Sequence, residues 1–386
     1  MSFTIFSFIT AFIFSTFILV SVHLLRKNPS FIRKFGVKSV LIGYLLCLVR
    51  MLFTPEFSFT RVLKLPSIVN EFYEAIYFKP VYVMSREISF LSLFLNIWCL
   101  GALLLVAIFV IQYIISLRRI NRYSTCTSET IDLILNKVQS EYPRKIRAKA
   151  FICPETAVPM GIGLLRKKIL LPYGKYSNKE LYYMIKHEYT HFYNRDLVVK
   201  FLVVMFSCIF WWNPAVYMLL RDISQILEIK CDLTITQQLD NVKKNEYLKT
   251  ILNLLKSQDK GPKLKVLGAL GMMKGDKDKA LVERFRVVLT PPKRVRKWTF
   301  SVIVTLYLIA FGLSYMAVIQ PAYRPQNHEL ISDNGNVEPI LEGYIVKEEN
   351  GDYILYSNKK GPYKIEEETA KIFISLGMDF REDLVK

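Results

Sequence analysis

Residues 187–191 read His-Glu-Tyr-Thr-His, and their types and spacing are those of a metal site that includes a catalytic base. Residues four apart share one face of a helix, so His187 and His191 can point at one ion. Glu188 lies one step round the helix. Its carboxylate can there take a proton from a water molecule that zinc activates for attack on an amide. The motif predicts a zinc endopeptidase with one Zn2+ per chain.

A third ligand is expected from a second helix, predicted at about residues 223–237. Glu228 in this helix can complete a His-His-Glu site and leave the fourth position to water. Asp232, four residues further on the same face, can accept a hydrogen bond from a ligand imidazole and fix its orientation. Asp196 is expected to support the site without binding the ion, and Cys231 is a less favoured alternative ligand.

The motif helix has a clear predicted start, because Ser177 and Glu180 fit a capping box; its apolar pattern continues to Val199. Two short strands are predicted upstream, at residues 161–165 and 168–172. The first is a candidate edge strand that holds an extended peptide substrate through main-chain hydrogen bonds. An ordinary strand of a small sheet is the alternative. The candidate substrate-binding residues are Gly163, Leu164 and Leu165.

The composition indicates a membrane protein with a large aqueous domain, since hydrophobic residues make up 52% of the chain and the net charge is +19. Four stretches are apolar enough to be predicted as spans. Arg50, in the second stretch, is expected to reach the membrane surface or to face a partner helix. The four stretches are residues 3–25, 38–53, 88–117 and 298–323.

The distribution of Lys and Arg orients these spans. The short link after the first span is basic and is expected to be cytoplasmic, and residues 118–297 are strongly basic and are placed on the same side. The N-terminus, the loop at residues 54–87 and the acidic tail at residues 324–386 are then outside the bacterial cytoplasmic membrane. The basic surplus therefore follows topology, and no direct nucleic-acid partner is expected.

Residues 201–220 are uncharged, but Asn213-Pro214 interrupts them. A full crossing at this point would separate Glu228 from the motif histidines by a membrane. We therefore predict a re-entrant or membrane-apposed helix that turns back near Asn213.

The tail is expected to form a small α+β module, with a hairpin about Asn350-Gly351 and a helix at residues 366–376. Three fragments resemble penicillin-recognition motifs, at residues 332–334, 357–360 and 359–361. They stand in the wrong order and too close together to form such a site, so we interpret them as coincidental.

The motif at 187–191 is followed by Arg195-Asp196-Leu197, then by Trp212-Asn213-Pro214, and then by the acidic pair Glu228 and Asp232. This order resembles the membrane metallopeptidases of the BlaR/MecR antirepressor type over about residues 1–320, although Lys167 stands where proline is usual. The resemblance implies that His187, His191 and Glu228 bind zinc and that Glu188 is the base. The extracellular penicillin-binding domain of the best-known members is expected to be absent.

The predicted fold is a mainly α membrane protein with four transmembrane helices, a cytoplasmic α+β gluzincin-like zinc protease domain and a small extracellular α+β tail. The expected function is to transduce an external signal by cleaving a cytoplasmic regulator, a DNA-binding repressor. Membrane lipid, that repressor and a second copy in a homodimer are the expected partners. A membrane quality-control or CaaX-type zinc protease and a non-catalytic receptor of the same fold are the alternatives.

Overall fold

The computed structural model describes residues 5–65, 80–83, 86–122, 127–237, 239–257, 277–289, 297–321, 328–331, 337–340, 343–347, 351–357, 360–375 and 379–382. The chain divides into two compact units, Met1–Gln320 and Pro321–Lys386. The helices are α1 (Ile5–Arg26), α2 (Pro29–Phe35), α3 (Val37–Leu52), α4 (Phe90–Asn121), α5 (Glu129–Ser140), α6 (Asn178–Tyr193), α7 (Asp196–Ile209), α8 (Pro214–Thr236), α9 (Asn241–Ser257), α10 (Lys277–Leu289), α11 (Lys297–Leu313) and α12 (Glu367–Ser375).

The strands group into several small sheets. In chain order they are β1 (Arg61–Leu65), β2 (Pro80–Val83), β3 (Arg86–Ser89), β4 (Ala148–Cys153), β5 (Met160–Ile162), β6 (Lys167–Pro172), β7 (Ala317–Pro321), β8 (His328–Ile331), β9 (Val337–Ile340), β10 (Gly343–Lys347), β11 (Tyr353–Ser357), β12 (Lys360–Ile365) and β13 (Asp379–Glu382). The protein as a whole is mainly helical, as predicted.

Among the described residues, α1 and α4 are long and apolar enough to cross a membrane. Most of α4 is exposed, including Leu100 and Leu103, as expected for a helix with an apolar environment around it. Helices α3 and α11 are shorter, at 16 and 17 residues, and fall below the roughly 20 residues that a crossing normally needs. Two membrane-capable helices are therefore established, and the two further crossings remain a prediction.

Arg50 of α3 faces a partner segment rather than the surface. Its guanidinium donates to the Ser314 hydroxyl at 2.9 Å and to the Ser314 carbonyl oxygen at 3.0 Å, just beyond the end of α11. The same guanidinium lies 4.0 Å from the centre of the Tyr315 ring. These contacts satisfy a buried cation and fix α3 against α11.

The part of the larger unit that carries the motif is built on a three-stranded sheet in the order β4-β6-β5. Strands β4 and β6 are parallel, and the short β5 pairs with β6 in antiparallel register, Gly161 opposite Ile169. Helices α5 and α6 pack on this sheet and enclose an apolar core that includes Ile169, Leu171 and Met184. Strand β5 is the edge nearest the motif helix.

Helix α8 joins two apolar cores. Its first part, with Leu219 and Leu227, packs among α1, α3 and α7. Its last part, with Cys231 and Ile235, packs on the core of α5, α6 and the three-stranded sheet. One rigid helix therefore connects the bundle that contains α1 to the layer that contains the motif.

The smaller unit has a sheet in the order β12-β11-β10-β13 with α12 packed on it. Strands β10 and β11 form the antiparallel pair predicted around Gly351, which has a positive φ of 87°. The predicted helix at residues 366–376 corresponds to α12. Strands β12 and β13 were not predicted from the sequence. Residues 332–334, 358 and 359 of the coincidental fragments lie outside the described residues.

A candidate metal site between three helices

The motif lies on α6, which starts where the capping box predicted. The Ser177 hydroxyl accepts from the Glu180 amide, and the Glu180 carboxylate accepts from the Ser177 amide at 2.9 Å. The last turns of this helix are buried, with His187 7% and His191 4% exposed. Both imidazoles are therefore buried, and they lie on the same face of the helix.

Helix α6 ends earlier than predicted. The apolar pattern continues to Val199, but α6 stops at Tyr193 because Arg195 adopts a left-handed conformation, with φ 59° and ψ 28°. This conformation costs a residue with a side chain about 1 kcal/mol. The resulting turn begins α7 at Asp196, whose fully buried carboxylate accepts from the His191 Nδ1 at 2.9 Å.

Glu228 reaches the histidines through a helical hairpin. Helix α7 ends at Ile209, and α8 begins at Pro214, where the Asn213 side chain accepts from the Ala215 amide. Trp211 of this turn packs directly on Gly101 of α4, where a Cβ atom would lie 2.8 Å from the indole nitrogen. The stretch at residues 201–220 thus turns back near Asn213, and Glu228 returns to the side of the histidines.

The three predicted ligands form a compact triangle. The Nε2 atoms of His187 and His191 are 3.2 Å apart. One carboxylate oxygen of Glu228 lies 3.4 Å from the Nε2 of His187, and the other lies 3.5 Å from the Nε2 of His191. A tetrahedral zinc ion with bonds of about 2.0–2.2 Å requires ligand atoms about 3.3–3.6 Å apart. The described residues fit the ion that the motif predicts.

Hydrogen bonds on the far side of each ring fix the tautomers that metal binding requires. The Nδ1 of His191 donates to Asp196. The Nδ1 of His187 lies 2.9 Å from the Tyr247 hydroxyl, which itself donates to Asp232 at 2.6 Å and so accepts from the ring. With a proton on each Nδ1, both Nε2 lone pairs face the triangle.

Asp232 supports His187 indirectly. Its nearest oxygen is 3.6 Å from the His187 Nδ1, beyond hydrogen-bond distance, and the Tyr247 hydroxyl lies between them. Arg284 of α10 donates to both oxygens of the same carboxylate, at 2.7 and 2.9 Å. The direct bond from Asp232 to an imidazole is therefore replaced by a chain through Tyr247.

Two cations lie against Glu228. The Lys200 ammonium is 3.2 Å from one carboxylate oxygen, and the Arg284 guanidinium is 3.4 Å from the other. Burial would raise the pKa of Glu228, but Lys200 and the protonated His191 hold it well below its usual range. The carboxylate stays ionised and able to bind a cation.

The site also favours positive charge at the histidines. Burial lowers the pKa of His187, but negative charge on the Cys231 sulfur and a hydrogen bond to Glu228 outweigh that effect and raise it to about 10. The pKa of His191 rises well above its usual value against the same burial cost, through Cys231 and Glu228. The two Nε2 atoms therefore share a proton or a metal ion, because two bare lone pairs at 3.2 Å repel each other.

Cys231 provides a second possible metal group, since the ligand atoms of His187, His191 and Cys231 all lie within 4.8 Å of one another. Its sulfur lies 3.6 Å from the His187 Nδ1, the ring atom that is bonded to Tyr247. Glu228 instead faces both free Nε2 atoms. The geometry thus favours Glu228 as third ligand and leaves Cys231 beside the site.

The Glu188 side chain extends from α6 towards the edge strand β5, and the residue is 9% exposed. A Cβ atom on Gly161 of β5 would lie 3.2 Å from its carboxylate oxygen and 3.0 Å from the Phe192 ring. Glycine therefore allows the strand to approach the candidate base closely. The carboxylate is therefore held against β5, on the helix that also carries both motif histidines, and its role as the base stays a prediction.

The predicted substrate-binding strand was misplaced by a few residues. Strand β5 ends at Ile162, and Gly163, Leu164 and Leu165 lie in the turn to β6. Gly163 has a φ of 87°, and a Cβ atom there would meet the Arg166 carbonyl oxygen at 2.1 Å, so the chain turns at this glycine. The edge next to Glu188 is residues 160–162. Gly163 and Leu164 do line a cleft of about 360 Å³ together with His191.

Sequence reasoning missed Tyr247, Lys200 and Arg284. Lys200 was detectable in principle, because it stands one helical turn after Asp196 in a stretch that is otherwise apolar. Tyr247 and Arg284 lie on α9 and α10, which have no fixed spacing to the motif, so only the folded chain brings them to the site.

A buried pair of histidines on one helix, an acidic residue from another and a neighbouring glutamate define the class of site found in metallopeptidases. The sequence profile of the BlaR1 peptidase M56 family matches residues 67–288, more than half of the chain. The protein belongs to this metallopeptidase family.

Curated relatives agree with this assignment. The methicillin resistance mecR1 protein of Staphylococcus aureus strain Mu50 is 26% identical over 243 residues, which cover 59% of this chain and 40% of that protein. Regulatory protein BlaR1 of S. aureus is 26% identical over 215 residues, covering 53% and 35%. Regulatory protein BlaR1 of Bacillus licheniformis is 27% identical over 96 residues, covering 24% and 16%. The aligned part is at most two fifths of each relative.

Proposed function

We propose that the protein is a membrane zinc endopeptidase that transduces an external signal by cleaving a cytoplasmic regulator, a DNA-binding repressor. The observation that carries the proposal is the triangle of His187, His191 and Glu228, with edges of 3.2, 3.4 and 3.5 Å, on a helix in which Glu188 directly follows His187. Membership of the M56 family and the relatives named as regulatory and resistance proteins support the same reading.

Each residue has a separate role in this proposal. His187, His191 and Glu228 hold the ion, and Asp196 and the Tyr247–Asp232 pair orient the two imidazoles. Glu188 accepts the proton of the attacking water and passes it to the leaving amine. Bound zinc would polarise the scissile carbonyl and make the water acidic. Lys200 keeps the Glu228 carboxylate ionised, so that it can bind the ion.

The substrate is proposed to bind in extended form along the edge of β5, residues 160–162, with Gly163 and Leu164 lining the adjoining cleft. We place residues 118–297 in the cytoplasm and the N-terminus and tail outside, on the strength of the Lys and Arg distribution. The site would then face the compartment in which a repressor is found.

Substitution of Glu188 by Gln tests the peptidase. The variant keeps the side-chain shape but cannot accept a proton, so we expect one zinc per chain and a loss of cleavage of about 100-fold or more. Purified protein in detergent is incubated with the repressor encoded beside its gene, and fragments are counted by mass spectrometry, with and without chelator. Glu246→Gln, on the surface of α9, is the matched control.

Equal cleavage by wild type and Glu188→Gln would refute the catalytic role. Zinc-dependent cleavage of misfolded membrane proteins but not of the repressor would instead favour the quality-control protease. Zinc binding with no cleavage of either class would favour the non-catalytic receptor.

A further inference from the structure

Two neighbouring residues of α10 reach two different buried clusters. Arg284 contacts the metal site, and Glu283 contacts Arg26 at the end of the membrane-capable helix α1. The two side chains are mostly buried, with 12% and 18% exposed, which is unusual for adjacent charged residues on one helix. A short helix therefore lies between α1 and the metal site, with an ionic contact to each.

At the metal site, the Arg284 guanidinium contacts two carboxylates, those of Asp232 and Glu228. Its Nε and Nη2 atoms donate to the two oxygens of Asp232 at 2.7 and 2.9 Å, and its Nη1 lies 3.4 Å from Glu228. Asp232 in turn holds Tyr247, the partner of the His187 ring. One guanidinium therefore sets the position of the third ligand and the orientation of the first.

On the membrane side, Arg26 is 3% exposed and has three partners. It donates to Glu283 at 3.1 Å and to Asp222 at 3.2 Å, and it also contacts the Gln225 side-chain oxygen. The Asp222 carboxylate, 1% exposed, is shared with His23 of α1 and Tyr44 of α3. A buried cation at the end of α1 is thus tied to both α8 and α10.

The two links run in parallel. Asp222 and Glu228 stand six residues apart on α8, about 9 Å along the helix axis. Glu283 and Arg284 are consecutive on α10. A displacement of the end of α1 would therefore reach the metal site along α8 and along α10 together, because buried ion pairs do not stretch without a large cost.

We propose that Arg284 is a positioning residue of the metal site and that the Arg26–Glu283 ion pair anchors it to helix α1, so that the state of this helix sets the affinity of the site for its metal. The inference rests on the proposed metal site.

The first test measures zinc affinity and the Co2+ absorption spectrum of the full chain in detergent. Removing a partner that orients metal ligands commonly weakens binding about 10–100-fold, and we expect this range for Arg284→Met. Arg284→Lys keeps the charge but cannot bind both oxygens of Asp232, so its affinity should lie between those of wild type and Arg284→Met. The Co2+ spectrum should change with Arg284→Met, because the ligand geometry changes. Arg221→Met, an exposed arginine of α8, should leave both readouts unchanged.

The second test asks whether the anchor acts through Arg284. We expect Glu283→Gln to weaken zinc binding about 3–10-fold, an effect smaller than that of Arg284→Met because the guanidinium remains in place. The double variant Glu283→Gln, Arg284→Met should bind no more weakly than Arg284→Met alone, because the link is already broken. Glu246→Gln is the control for loss of a carboxylate.

The outcomes separate the two levels of the argument. If wild type binds no zinc or Co2+, the metal site and with it the proposed function fail. If wild type binds zinc and Arg284→Lys and Arg284→Met match it in affinity and spectrum, only the positioning role is overturned. If Glu283→Gln has no effect, or its effect adds in full to that of Arg284→Met, the anchor to α1 is overturned.

Discussion

Helix α8 carries two buried charged clusters that differ in where their hydrogen bonds point. In the Asp222 cluster, which comprises His23, Arg26, Tyr44 and Asp222, all three donor side chains point inward at one carboxylate. In the metal site, the donors and acceptors occupy the outer edges of the imidazoles, and the inner Nε2 atoms face each other at 3.2 Å. The Asp222 carboxylate already has a cation and two further donors, whereas the second cluster requires a cation.

This difference shows that burial of charge does not by itself mark a functional site. Asp222 and Asp232 are almost equally buried, at 1% and 2% exposed, and each binds an arginine. What separates them is the group on the far side: Asp222 ends its chain of hydrogen bonds, while Asp232 passes its orientation through Tyr247 to a ring nitrogen. Orientation of free lone pairs is the better criterion.

The largest expected effect separates the clusters outright. The double variant His187→Ala, His191→Ala removes two of three ligands, and we expect zinc affinity to fall about 1,000-fold or more. The unfolding temperature in chelator should also fall, because the double variant leaves a cavity and removes the imidazole partner of buried Asp196, but the protein should still fold around the Asp222 cluster. Isothermal titration and metal analysis measure zinc binding, and a thermal scan measures the unfolding temperature. His328→Ala, in the smaller unit, is the control. Full zinc occupancy in the double variant would refute the assignment of the metal site.

The second effect tests the other cluster. Asp222→Asn leaves Arg26 buried with less negative charge near it, and we expect a loss of about 3–5 kcal/mol in the free energy of unfolding. One zinc per chain should still bind, with affinity within about tenfold of wild type. Asp352→Asn, which removes the more exposed ion pair with Lys364, should cost no more than about 1 kcal/mol. Complete loss of zinc in Asp222→Asn at a temperature where the protein stays folded would contradict the separation of the two clusters.

The smallest effect sharpens the comparison at one atom. Tyr247→Phe removes the hydroxyl between Asp232 and the His187 Nδ1, so the ring loses the partner that fixes its tautomer. We expect zinc affinity to fall about 10–100-fold with an unchanged stoichiometry of one. Tyr173→Phe, at an exposed tyrosine, should have no effect. An affinity equal to wild type would show that the tautomer is set by another contact.

The sequence predicted those parts of the site that depend on local spacing. The pair His187 and His191 follows from the helical repeat, and the start of α6 follows from its capping residues. Glu228 was predicted from its place on an acidic helix and from the need to keep it on the same side as the histidines. The end of α6 was wrong, because a left-handed arginine leaves no mark such as glycine or proline in the sequence.

Two other features of the site were not predicted from the sequence, the turn at Gly163 and the residues from α9 and α10. The turn at Gly163 was read as strand, because an isolated glycine within an apolar run fits either structure until φ is known. Tyr247 and Arg284 come from helices remote in sequence, and their positions depend on the packing of α9 and α10. Local propensity predicts the residues that define a metal site, but not those that orient it.

The shortness of β5 limits how the protein can recognise a substrate. An edge of three residues offers a peptide only a few main-chain hydrogen bonds, each worth about 1 kcal/mol net. That is too little to retain a peptide at the concentration of a cellular regulator, since a micromolar dissociation constant needs about 8 kcal/mol. The proposed peptidase would therefore need further contacts to retain a substrate, in the adjoining cleft or away from the cleaved bond. If a cytoplasmic regulator is the substrate, as proposed above, short peptides copied from its cleavage sequence should be poorer substrates than the intact regulator.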